Sequence, residues 1–366
     1  MAKIPLIFFL FLVTFSVNHS LSQASAENIH KHQHRLGVYE LNRGNISAKF
    51  TNWGATLISL VLPDKHGNLG DVVLGYDHIK DYMNDTVYFG AIVGRVANRI
   101  GNAQFKLNGV VYKTVANEGH NTLHGGKKGF SDVVWKVIRH KNKGDTPYIV
   151  FGYRSADGEQ GFPGRLSVTV TYALTRHNQL GVVMKARPKK KATPVNLAQH
   201  AYWNLGGHNN GDILSEEVQI FGSKYTPVDG KLIPTGQVLP VKGTAFDFRK
   251  PHTIKSTIGQ LPKGYDINYA IDGPMNEMRK VAIVTDRKSG RKMELFANQP
   301  GLQFYTGNYL KNVKGKNGAV YQAHAGLCLE TQGYPDSVNQ AKFPSQIVNP
   351  GHTYRHLMVY KFSVVS

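Results

Sequence analysis

Residues 166–174 read Leu-Ser-Val-Thr-Val-Thr-Tyr-Ala-Leu, with apolar and small side chains in strict alternation, and nothing else in the chain constrains the fold as much. A period of two places Leu166, Val168, Val170, Tyr172 and Leu174 on one face and Ser167, Thr169, Thr171 and Ala173 on the other. An antiparallel strand with one buried and one wetted face has this pattern. Leu180, Val182, Met184 and Ala186 repeat it at once. Residues 281–284 and 293–296 flank Asp286-Arg-Lys-Ser-Gly290-Arg, a polar connection that reads as a hairpin. Residues 148–151 and 133–138 add two short strands, and residues 77–83 allow one short helix. With 38 Gly and 16 Pro punctuating these runs, the expected class is mostly β, a large sandwich of antiparallel sheets. Strand order is not readable from the pattern.

The N-terminus follows a different rule. Met1-Ala-Lys3 is a basic start, residues 4–17 are apolar or small, and Ala24-Ser25-Ala26 is a cleavage pattern. The apolar run is shorter than the ~20 residues of a membrane-spanning helix, and no second run follows. The expected organisation is a secretory signal at 1–26 and one domain at 27–366, with an extracellular destination. Asn45-Ile-Ser47 and Asn84-Asp-Thr86 are glycosylation acceptors compatible with export. Cys328 is the sole cysteine, so no intrachain disulfide is available and the core must hold itself together. Between Leu327 and Leu329 it reads as a small buried hydrophobe. His30, His32 and His34 alternate without Cys or acidic partners, a poor set of metal ligands. A net charge of +20 points to an acidic partner. For an exported chain that partner is an acidic polysaccharide or an anionic membrane surface rather than nucleic acid. The densest basic cluster, Arg187-Pro-Lys189-Lys-Lys191, reads equally as a solvated turn.

Several segments set chemistry-bearing residues among apolar ones. Gly326-Leu-Cys-Leu-Glu330-Thr-Gln332 puts a carboxylate inside a strand-like run, where desolvation is costly unless the group is hydrogen-bonded or used. In Gln199-His200-Ala-Tyr202-Trp203-Asn204, a strand would put His200 and Tyr202 on one face, an imidazole beside a ring that could cover a sugar. A core histidine with satisfied hydrogen bonds fits the same residues. Gly94-Arg95-Val-Ala-Asn98-Arg99 offers fixed donors suited to hydroxyls, or a turn with surface arginines. His124 before Gly125-Gly126 allows close backbone approach to a ligand. Gly264-Tyr265-Asp266 is an acid in an aromatic setting, or an ordinary turn. No GxSxG, GxxxxGK[ST], HExxH or CxxC pattern occurs, so nothing points to a nucleotide cofactor or a catalytic metal.

Together these segments resemble the aldose 1-epimerase (galactose mutarotase) family. The matching pieces are Gly94-Arg-Val-Ala-Asn-Arg-Ile-Gly101, Leu123-His-Gly-Gly126, Gln199-His-Ala-Tyr-Trp-Asn-Leu205, Gly264-Tyr-Asp266, Pro300-Gly-Leu-Gln-Phe-Tyr-Thr-Gly-Asn308 and Gly326-Leu-Cys-Leu-Glu-Thr-Gln332. The resemblance implies a β-supersandwich that interconverts the α and β anomers of free hexoses without cofactor or metal. It implies Glu330 as the base on the anomeric hydroxyl and His200 as the acid on the ring oxygen. It places Asn98, Arg99, His124, Tyr202, Asp266 and Gln303 in the sugar-binding set. An ionised carboxylate of intrinsic pKa ~4.3 and an imidazole of ~6.5 suit such a proton exchange near neutrality. Gln199 and Ile267 depart from the commoner Asn and His, which bears on sugar preference. Two further readings are a secreted, non-catalytic carbohydrate-binding protein and a glycoside hydrolase pairing Asp266 with Glu330.

Overall fold

The alternating run becomes the ten-residue strand Leu166–Thr175, in which burial alternates from end to end. Its neighbour Gln179–Pro188 does the same, and the two pair antiparallel from Leu166↔Pro188 to Thr175↔Gln179. The computed structural model describes residues 35–176 and 178–365. The signal segment 1–26 and the histidines at 30, 32 and 34 lie outside the described residues. Leu36–Ser366 forms one compact unit.

Three antiparallel sheets account for most of that unit. The largest has nine strands, in the order Lys136–Lys141, Tyr148–Ser155, Leu166–Thr175, Gln179–Pro188, Tyr354–Val364, Arg291–Ala297, Arg279–Thr285, Glu217–Ile220 and His252–Thr253. A four-stranded sheet runs Val38–Arg43, Ile46–Thr51, Thr56–Pro63 and Leu69–Asp71. A five-stranded sheet runs Leu239–Pro240, Lys224–Thr226, Asp266–Ala270, Gly301–Tyr305 and Cys328–Gln332. One apolar cluster joins them: Phe50 and Leu60 from the four-stranded sheet, Val182 and Leu295 from the nine-stranded sheet, Phe304 and Leu329 from the five-stranded sheet. Rings lock across the interfaces, as where Phe50 meets Tyr172 at 4.5 Å. The expected β-supersandwich is what forms.

Local differences from the pattern have simple causes. Residues 133–135 do not enter a strand. A 3-10 turn at Phe130–Asp132 redirects the chain, and the Trp135 indole donates back to the Phe130 carbonyl, so the strand starts at Lys136. The short helix is Ile79–Met83, and a second, Lys255–Ile258, is too short to leave a periodic signature. Among the described residues no helix is long and apolar enough to cross a membrane.

Candidate active site

The pleat of the five-stranded sheet sorts its residues into two sets. On the strands Asp266–Ala270, Gly301–Tyr305 and Cys328–Gln332, Ile267, Tyr269, Leu302, Phe304 and Leu329 join the main core. Alternation turns Asp266, Asn268, Gln303, Cys328, Glu330 and Gln332 to the opposite face. Register then aligns them, since Asn268 lies opposite Gln303 and Gln303 opposite Glu330. Ile267 is thereby a core residue, and its departure from the family pattern stays away from this face. Gln199 is likewise committed: its amide donates to the Gly90 carbonyl and accepts from Ala201 N–H and the Tyr360 hydroxyl.

A row of amides holds Asp266. The Gln303 amide donates to Asp266 Oδ1 at 2.6 Å, Gln332 donates to Gln303 Oε1 and Asn268 Oδ1, and Asn268 donates to Thr226 Oγ1. From the other side, Arg99 Nη1 stands 4.0 Å from Asp266 Oδ2. Arg99 is fixed in turn by Glu118, which accepts from Nε and Nη2 at 2.7 Å each. Asn98 and His124 form a second clamp. Asn98 N–H donates to His124 Nδ1 at 3.2 Å, and His124 N–H donates to the Asn98 carbonyl at 3.1 Å. Both residues have positive φ, 61° and 51°. The turn closes only because Gly125 follows, at φ 93°, where a Cβ would sit 2.1 Å from the Gly94 carbonyl oxygen.

His200 reaches this cluster from the end of the short strand Ala198–Gln199. Its Nε2 lies 3.7 Å from Glu330 Oε1, and both side chains are buried, 6% and 3% exposed. The Tyr202 ring stacks on the imidazole at 5.2 Å, while its hydroxyl donates to the Val87 carbonyl. Tyr202 therefore supports His200, its own polar group already being engaged. Arg95, the other arginine of its motif, is a buried brace that donates to the carbonyls of Pro163, Gly164 and Ala156.

Burial controls the electrostatics. Glu330 is pushed up to about 8 by desolvation first and Asp266 second, with Arg99 opposing. His200 is pushed down to about 4, again chiefly by desolvation. His124 falls well below the usual histidine range through burial, with His200 and Arg99 adding to the effect. Burial therefore works against the ionised carboxylate expected from intrinsic values. It favours the neutral form of each group, the protonated carboxyl of Glu330 and the unprotonated imidazole of His200. Glu330 Oε2 is buried without a hydrogen-bond partner, a state that in native proteins calls for a reason.

His124, His200 and Glu330 bring one ligand-capable atom each within 4.8 Å of one another. Metal binding would need free lone pairs on both imidazoles. Neutral His124 already accepts at Nδ1, which leaves Nε2 carrying the proton as a donor. The trio suits hydroxyl recognition better than a cation.

Three participants escaped the sequence reading. Glu118 lies in a loop with no periodic signal. Tyr88 sits at φ 63° and packs on His124 at 4.7 Å and on His200 at 5.8 Å. Cys328, read as a mere hydrophobe, has Sγ 3.7 Å from His200 Nδ1. Only an aromatic just before Phe89-Gly90 hinted at Tyr88.

A buried carboxyl beside a buried imidazole, ringed by Asn, Arg, Asp, Gln and His side chains on a β-supersandwich, is the arrangement expected of a carbohydrate isomerase. The aldose 1-epimerase family profile matches residues 37–361. Galactose mutarotase of Homo sapiens is 44% identical over 328 residues, covering 89% of this chain and 94% of the relative. Aldose 1-epimerase of Escherichia coli (strain K12) is 32% identical, covering 88% and 93%. Among solved structures, an aldose epimerase homologue from C. elegans is 30% identical with a TM-score of 0.85, covering 91% of this chain and all of the other. This chain belongs to the aldose 1-epimerase family, whose members are isomerases.

Proposed function

We propose that this chain interconverts the α and β anomers of free aldohexoses, D-galactose foremost, by opening and reclosing the pyranose ring between Glu330 and His200. The carrying observation is the 3.7 Å approach of two buried titratable groups, one of which keeps an unpartnered oxygen. The anomeric hydroxyl and the ring oxygen are bonded to the same carbon, so neighbouring groups can serve both. A sugar hydroxyl donating to Glu330 Oε2 favours the carboxylate and draws the proton toward His200. Glu330 then accepts the proton of the anomeric hydroxyl while His200 protonates the ring oxygen. The C1–ring-oxygen bond breaks and C1 becomes an aldehyde. Rotation about C1–C2 presents its other face, and the two groups reverse roles to close the ring. The pair holds one proton before and after each half-reaction, so no outside acid or base is required. Asn98, Arg99, His124, Asp266 and Gln303 hold the remaining hydroxyls, with Tyr202 steadying His200.

Preference for galactose is supported by the relatives at 42–44% identity, which are galactose mutarotases by name. Positioned acid–base catalysis contributes ~10²–10⁴-fold. In polarimetry of freshly dissolved α-D-galactose, Glu330→Gln is expected to lower kcat/KM by at least ~10²-fold. A variant with the wild-type rate would remove Glu330 from the mechanism. A non-catalytic sugar-binding protein would have no use for the buried pair, and the relatives described above are named as mutarotases or epimerases rather than hydrolases.

Export is the second part of the proposal. It is supported by the signal pattern at 1–26 and by the exposure of both Asn45 and Asn84. The excess of 44 basic over 24 acidic residues supports an acidic polysaccharide as the partner met outside the cell.

A further inference from the structure

The solvent face of the nine-stranded sheet carries cations in register. Lys136 is opposite Gly152, Gly152 opposite Thr169, Thr169 opposite Lys185, and Lys185 opposite Arg355. One row across five strands thus holds three cations. In the next row Arg154 is opposite Ser167 and Ser167 opposite Arg187. Beyond it, Lys189 N–H donates to the Arg165 carbonyl and sets that pair side by side. Arg154, Arg165, Lys185, Arg187, Lys189 and Arg355 are all exposed. No acid occupies these rows, and none of their cations makes an ion pair among the described residues. By contrast Lys191, only two residues past Lys189, is neutralised by Asp157 at 2.7 Å.

Such an arrangement works against the fold. Neighbouring strands lie ~4.8 Å apart, and like charges directly opposite each other destabilise a sheet. Lys185 facing Arg355 is a pair of this kind. Stability alone would place an acid on one side, as Lys280 and Glu294 show elsewhere on the same sheet, bonded at 2.6 Å.

We propose that this face is a docking surface for an extended acidic polysaccharide bearing carboxylates, a uronic-acid polymer. The inference rests on the export reading above and adds to it the place of contact. Of the neutral positions between the cations, Ser167 and Thr169 offer hydroxyls that can hydrogen-bond a chain laid along the rows, while the Ile138 side chain covers Gly152. No aromatic interleaves with the cations in these rows, so bases have no platform to stack on. No helix projects from these rows to enter a duplex groove.

The test uses the chain without its first 26 residues on immobilised polygalacturonate, eluted with a salt gradient. The triple variant Lys185→Glu, Arg187→Glu, Arg355→Glu is expected to elute at about half the salt of the wild type or less, since exposed charges act through a screened field. A control with the same net charge reverses the exposed lysines Lys106, Lys113 and Lys263. It is expected to keep most of the retention. Equal loss in both variants would overturn the proposal, because it would mean that only net charge acts. Failure of the wild type to bind, or tighter binding to DNA or to anionic vesicles than to polygalacturonate, would also overturn it. Both variants should mutarotate galactose at the wild-type rate, and circular dichroism checks folding independently. A wild type that binds polygalacturonate without mutarotating sugar would count against the catalytic reading alone.

Discussion

Glu330 is a carboxyl in an apolar strand, flanked by Leu329 and Thr331 and pressed up to about 8 by its burial. The pH dependence of kcat/KM follows from this. In the proposed mechanism, activity requires one proton on the Glu330–His200 pair. The lower limb then belongs to His200, near 4, and the upper limb to Glu330, near 8. Intrinsic values would have assigned the limbs the other way round, with the upper one near ~6.5. A polarimetric profile level from pH 5 to 7 and falling above 8 is expected. A fall centred near 6.5 would contradict the burial argument. The same residue costs stability. An acid whose folded pKa is raised binds its proton more tightly folded than unfolded, so stability falls as pH climbs from the unfolded value of ~4.3 to about 8, and is level above that. Glu330→Gln should therefore melt higher than the wild type at pH 8, with a smaller gain at pH 4.5. Calorimetry at both pH values checks the sign, and a lower melting point at pH 8 would refute it.

Strands and turns translate these residues into geometry. The run holding Glu330 was legible as strand-like, but the pleat of Asp266–Ala270, Gly301–Tyr305 and Cys328–Gln332 that turns Glu330 and Gln303 away from the face of Leu329 and Phe304 emerged only in the structure. What alternation could not supply is register, because a slip of one residue would exchange the two faces and nothing local forbids it. Turns were harder still. The loop carrying Glu118 has no period, yet its carboxylate fixes Arg99 through two 2.7 Å hydrogen bonds and leaves Nη1 toward Asp266. Glu118→Gln keeps the shape of the side chain and removes its charge. The expected result is a KM for galactose about 10-fold higher with kcat changed much less, since charge-assisted hydrogen bonds are worth ~1.5–3 kcal/mol. Initial rates across galactose concentrations measure this, and an unchanged KM would mean that Arg99 holds its place without the glutamate.

Across the whole molecule, the sheets share one core while the N-terminal segment obeys a different logic. The export proposal predicts that the full chain, expressed in a secreting eukaryotic host, is recovered from the medium beginning near residue 27. An N-glycosidase should reduce its mass, and Asn45→Gln with Asn84→Gln should abolish that reduction. Retention of the full chain inside the cell would defeat the proposal. The sequence by itself determined the β class, from an alternation that only a half-buried strand satisfies, and it pointed to Glu330 and His200 through the family resemblance of their motifs. Only the tertiary structure decided that Nε2 of His200 and Oε1 of Glu330 come within 3.7 Å, that Tyr202 backs the imidazole, and that burial pushes the Glu330 carboxyl up and the His200 imidazole down. Those outcomes depend on which surfaces exclude water from which groups. Desolvation arises between segments more than a hundred residues apart, so no local stretch of sequence encodes it.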